Sequence, residues 1–160
     1  MIAAMLTSII TITLSAVLDP FSYGIAIDIQ DKIKILGISI IFPTLFLIAS
    51  IGRLAKYRFF SPDDIDGSAL SHSSDEALVL QSLLQNTLEQ FVIAVAVYTA
   101  WCFLVPASLL SAIPLCSVLF AIGRILFFRG YKHGAASRAF GFALTFYPTV
   151  LLFVILFAYQ

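Results

Sequence analysis

Leu78-Val-Leu-Gln-Ser-Leu-Leu-Gln-Asn-Thr-Leu-Glu-Gln-Phe-Val-Ile-Ala-Val-Ala-Val97 decides how the chain is read. Twenty residues, about the number that span a hydrocarbon core of ~30 Å, carry one charged side chain. Ser82, Asn86 and Glu89 recur at i, i+4 and i+7, so they form a polar stripe on one helix face. A carboxyl group at that depth is costly, and it normally faces a partner, a cavity or a site. Glu89 reads either as part of a functional site or as half of a structural pair with an arginine on a neighbouring helix.

Working outward, the same character holds along the chain. Hydrophobic residues make up 61% of the 160 and charged ones 11%, with a mean hydropathy of +1.03. Soluble domains are nearer half apolar and a quarter charged, so the expected class is an all-α integral membrane protein in the lipid bilayer. Apolar segments fall at about residues 2–18, 35–57, 77–104, 107–129 and 138–159. The first is the shortest and is rich in Thr and Ser. It reads as a cleaved signal peptide or, since no basic residue precedes it and no clear small-residue cleavage site follows, more readily as a retained helix.

Charge orients the segments. Arg53, Lys56 and Arg58 close the second, and Arg124, Arg129, Lys132 and Arg138 lie between the fourth and fifth, seven of the nine Lys and Arg in all. The positive-inside rule makes both regions cytoplasmic and, with five spans, puts the N-terminus inside and the C-terminus outside. Basic residues interleave with aliphatic ones, which argues against a nucleic-acid partner. Cys102 and Cys116 read as a disulfide or, more commonly for such pairs, as small buried hydrophobes. Neither they nor His72 and His133 have metal-ligand spacing, so no metal is expected. Asp63, Asp64 and Asp66 before Gly67 lack the spacing of a calcium loop and read as a solvated turn. Ser73, Ser74 or Asp75 can cap the helix that follows. Tyr98, Trp101 and Tyr159 are expected as aromatic anchors at the outer interface. Ser137 and Gly141 are spaced to let helices approach closely.

Two polar clusters fall on the cytoplasmic side. One is Gln81, Ser82, Gln85, Asn86 and Glu89. In the other, Arg124, Phe127 or Phe128, and Tyr131 recur at helical spacing, and Arg138 opens the last helix. With Arg53 and Lys56 they are expected to form a cationic pocket with Glu89 at its floor. Arginine forks there would take the carboxylates of an anionic ligand, and Asn86 and Glu89 its donors. Arg129 and Lys132 read as headgroup-facing, Arg124 and Arg138 as buried.

The pattern Asn86-x-x-Glu89 within a membrane helix, followed by Gly-Arg124-x6-Tyr131-x6-Arg138, resembles the MAPEG family, the membrane-associated proteins in eicosanoid and glutathione metabolism. Phe60-Ser-Pro-Asp-Asp-Ile-Asp-Gly67 and Leu84-Gln-Asn-Thr-Leu-Glu-Gln90 are similar to its bacterial branch. The resemblance covers residues from about 33 to 160. It implies a four-helix bundle over 31–160, with an additional N-terminal hydrophobic helix and outer loop in 1–30. It also implies a homotrimer in the bacterial inner membrane that binds glutathione between subunits near the cytosolic face. Arg53, Asn86, Glu89, Tyr131 and Arg138 match glutathione-contacting positions, and Arg138 matches the arginine that stabilises the thiolate. Arg138 is thus the candidate catalytic residue, with Arg53, Asn86, Glu89, Arg124 and Tyr131 as candidate binding residues. The implied activity is a glutathione transferase or peroxidase acting on lipophilic small molecules. Ser82, Gln85 and Phe127 depart from the family pattern, where arginine, arginine and a polar His or Tyr are common. Two other readings stand beside it: a non-enzymatic bundle whose Glu/Arg cluster is structural or lipid-binding, and proton transfer through Glu89.

Overall fold

The computed structural model describes residues 1–24, 27–62, 64–67 and 73–159. His72 and Asp63 lie outside the described residues. The described chain is helical: α1 Ile2–Leu18, α2 Ile29–Phe59, α3 Asp75–Leu104, α4 Ala112–Gly130 and α5 Ala135–Tyr159. Single 3-10 turns at Ala107–Leu109 and Tyr131–His133 precede and follow α4. Helices α2, α3 and α5, and α4 taken with its flanking turns, are long and apolar enough to cross a membrane, whereas α1 has 17 residues. The expected five spans therefore resolve into four of membrane length and one shorter apolar helix.

Local chemistry sets the ends. The Asp28 carboxylate accepts the Asp31 N–H at 2.8 Å and opens α2, six residues before the apolar run begins. Lys56 and Arg58 sit in the last turn of α2, against the negative end of its dipole. Of the three candidate caps, Ser74 opens α3, its hydroxyl accepting from Ala77 N–H. The Asp64 carboxylate in turn accepts the Ser74 N–H and O–H at 2.9 and 2.6 Å. Asp64 is thus a buried structural acceptor and not a solvated turn residue. Pro114 is the third residue of α4, within the first turn, where its missing N–H costs no intrahelical bond.

Helices α2 to α5 run up and down, and α1 lies against α4 and α5. Pairing is closest between α4 and α5, because Gly123 and Gly141 bring the two backbones together. A Cβ on Gly141 would stand 2.3 Å from Phe127 N, and one on Gly123 2.9 Å from Gly141 O. The half of the bundle beside the α3–α4 turn packs Tyr98, Trp101, Ile113, Phe120 and Leu152 together. Leu54, Leu80, Leu83 and Phe127 pack the opposite half. Tyr98 and Trp101 are 0% and 2% exposed, so they are core residues and not interfacial anchors. Both fall on the face of α3 that carries Ala94 and Val97 into the bundle. Cys102 and Cys116 are free and buried.

Candidate functional site

Arg124 is the centre from which the site is built. It is 0% exposed, and its guanidinium is held by neutral groups alone. Nη1 donates to Asn86 Oδ1 at 2.9 Å, and Nη2 donates to Thr145 Oγ1 at 2.7 Å. The plane lies 4.5 Å from the Phe127 ring centroid and 5.7 Å from that of Phe120. Thr145 passes its own proton to Gly141 O at 2.8 Å. Its oxygen can therefore accept only, which suits an arginine. The glycine contact between α4 and α5 makes this possible, since it sets Thr145 beside Arg124.

The Arg124 bond also orients Asn86. Guanidinium has no acceptor, so the Asn86 carbonyl must face it and the Asn86 NH2 remains for other partners. Asn86, Phe127, Tyr131, Arg138 and Phe142 line a cleft of about 360 Å³, with Met1, just ahead of α1, at its edge. The Arg138 guanidinium stands 4.4 Å over the Tyr131 ring. Tyr131 is held in turn by an edge contact to Phe127, with ring centroids 5.4 Å apart. Arg138 is in neither of the two ion pairs among the described residues, Lys34–Asp31 and Lys132–Glu76. An open cation over an aromatic ring, with an amide donor across an otherwise apolar cleft, is suited to an anion carrying an apolar portion.

The remaining candidates stand elsewhere on the protomer. Glu89 is exposed on the outer face of α3, accepting from Gln85 Nε2 at 2.9 Å. It lines a cleft of about 430 Å³ with Gln81, Ser82 and Gln85, which adjoins the first only through Asn86. Arg53 and Lys56 line a third, of about 490 Å³, with Tyr57, Phe60 and Glu76. Arg53 lies 5.4 Å over the Phe128 ring. A single pocket with Glu89 at its floor is thus not formed within the chain. Arg124 lies behind Asn86 and not among the lining residues, so its role toward a ligand is to position the amide. Thr145 was not singled out in the sequence. The spacing Ser137, Gly141, Thr145 and Thr149, one small or polar residue per turn of an apolar helix, is the signal that marks it. No group of His, Cys, Asp and Glu among the described residues could hold a metal.

The sequence profile of the MAPEG family matches residues 35–158, from the first turns of α2 to the last turn of α5. The chain belongs to the MAPEG family. It is accordingly a multi-pass membrane protein of the family that serves glutathione and eicosanoid metabolism. No curated protein and no solved structure matches it. Helix α1 lies outside the matched residues, whereas Asn86, Arg124, Tyr131, Thr145 and Arg138 lie inside them.

Proposed function

We propose that this MAPEG protein is a membrane-bound glutathione transferase or peroxidase that activates a thiol against lipophilic electrophiles. The observation that carries the reading is Arg138, a guanidinium held over Tyr131 with no carboxylate partner among the described residues and open to a cleft. A cation beside sulfur lowers the thiol pKa, and the thiolate is the nucleophile. Glutathione is the proposed thiol. Its sulfur attacks the electrophilic carbon and forms the C–S bond, and the leaving group departs with the bonding pair. With a hydroperoxide, two thiols would be oxidised to a disulfide as the O–O bond is reduced to alcohol and water.

Glutathione carries more charge than the Arg138 cleft alone can answer. Arg53 and Lys56 line a separate cleft and Glu89 one that adjoins through Asn86, so in this reading they contribute from another copy. This supports a homotrimer with sites between subunits, on the cytoplasmic face of a bacterial inner membrane. An exposed carboxylate near the middle of α3 also calls for a partner surface over it. The second reading, a structural or lipid-binding cluster, draws on Arg124, which is enclosed and needs no ligand. Turnover separates the two. Purified protein in detergent is given glutathione and a small hydrophobic electrophile, and conjugate is measured. Conjugation sensitive to Arg138→Ala supports the enzyme, and its absence across several thiols and electrophiles supports the structural reading.

A further inference from the structure

Helix α1 is not a free anchor. One residue per turn faces the bundle: Ala4, Ser8, Ile12 and Ser15. The two serines return their protons to their own helix, Ser8 to Ala4 O and Ser15 to Ile12 O, both at 2.7 Å. The seam with α4 and α5 is therefore seated by packing, against Leu119, Ala143 and Leu144 at the inner end. Only the outer end is clasped. Asp19 follows α1 in a left-handed conformation and accepts the Ser111 hydroxyl through Oδ1 at 2.5 Å. Its other oxygen accepts Gly24 N–H at 2.6 Å. At the inner end the polar contact is weak, Tyr147 O–H to Met1 Sδ at 4.0 Å. Here Met1 lines the Arg138 cleft, while Ile2 is 79% exposed.

We propose that α1, fixed at its outer end, holds Met1 as one wall of the Arg138 cleft, and that Met1 limits the size of apolar ligand admitted beside Arg138. From the proposed function this takes only that the cleft receives an apolar ligand, and its test needs no glutathione. Overpacking the seam should lift the wall, since a close-packed contact has no room for a larger side chain.

The chain's one tryptophan reports on seating. Trp101 lines a cavity of about 240 Å³ together with Ile12, Ser15 and Ala16 of α1. Its emission, and its quenching by lipids brominated in the acyl chain, will change when α1 leaves. Access to the cleft is read by Ala139→Cys, at a lining position. The variant is reconstituted in phosphatidylcholine vesicles and labelled with N-ethylmaleimide or the bulkier N-pyrenylmaleimide. Protein without the added cysteine corrects for Cys102 and Cys116. With α1 seated, the bulky reagent should label more slowly by roughly tenfold or more, the size of effect one obstructing side chain imposes. Deleting residues 2–24, or introducing Ser8→Phe, should bring the two rates together. Ser61→Cys in the Arg53 cleft should keep its ratio throughout. If the deletion does not fold, Ser8→Phe with altered Trp101 quenching carries the test. An unchanged ratio at Ala139→Cys after α1 is displaced would overturn the proposal, as would equal labelling in the intact protein. So would Ser8→Phe with Trp101 quenching unchanged, because the seam would then not hold the helix.

Discussion

Arg124 and Arg138 lie a few residues to either side of Tyr131 yet do different work. Arg124 spends its donors on Asn86 and Thr145. Removing one acceptor leaves part of a buried cation unsatisfied, so Thr145→Val should cost about 1–3 kcal/mol, read as a lowered melting temperature in detergent. Arg138 lays its face on a ring and has no carboxylate partner among the described residues. If the protein conjugates thiols, Arg138→Ala should lose roughly 10²-fold or more in rate, the scale of one preorganised charge stabiliser. The loss should shrink as pH rises, because more thiol then ionises unaided. Lys132→Ala should cost little, since Lys132 pairs with Glu76 at the surface. Asn86, Tyr131 and Arg138 could be read as neighbours from helical spacing and resemblance, and they do line one cleft. Thr145 could not, because a threonine in an apolar helix usually does no more than bond its own backbone, as Thr44 and Thr99 do here, whereas Thr145 makes that bond and also accepts from Arg124.

At the scale of helices, the segments themselves were legible because a run of apolar residues is what the bilayer requires. Their faces were not. The polar stripe of α3 is where helical spacing puts it, yet the buried face is Leu80, Leu83, Thr87, Gln90 and Ala94. Lipid is as apolar as leucine, so hydrophobicity does not sort inside from outside in a membrane helix, and small residues mark contacts instead. Gly141 is such a mark. Gly141→Ala puts a carbon 2.3 Å from Phe127 N and should destabilise the α4–α5 pair by about 1–3 kcal/mol or more, also weakening the Arg124–Thr145 bond. The clasp of α1 has its own signature in pH. Burial works to raise the Asp19 pKa, but the Ser111 hydroxyl and the Gly24 and Tyr23 N–H groups outweigh it and hold the carboxyl below its ordinary 3.8. A pKa lowered by folding stabilises the folded form in full above the unfolded value and loses that as pH falls through the folded one. Trp101 quenching by brominated lipid should therefore change below about pH 4, and Asp19→Asn should flatten the change. Asp64 is also held low, first by the Ser74 hydroxyl, but it closes the α2–α3 loop and not the α1 seam.

For the whole molecule, topology and assembly are the open quantities. By the positive-inside rule, the seven basic residues at 53–58 and 124–138 predict N-inside and C-outside. Reporter fusions after Ser71 and after Gln160 should give cytoplasmic and external signals, and a cytoplasmic C-terminus would reverse the site's placement. The proposed assembly turns on Glu89. Within one protomer it has a single hydrogen bond, from Gln85, on an open face. Glu89→Gln should shift the oligomer distribution on native mass spectrometry, and Glu76→Gln should leave it unchanged. The claim on which the functional reading depends is that Arg138 makes a bound thiol into a thiolate. It is tested most directly by equilibrium binding of glutathione to the purified protein, with an ultraviolet difference spectrum for thiolate recorded below the free thiol's pKa. The expected result is a thiolate band that saturates with binding, persists in Lys132→Ala and disappears in Arg138→Ala. No bound glutathione, or a band that Arg138→Ala leaves intact, would contradict it.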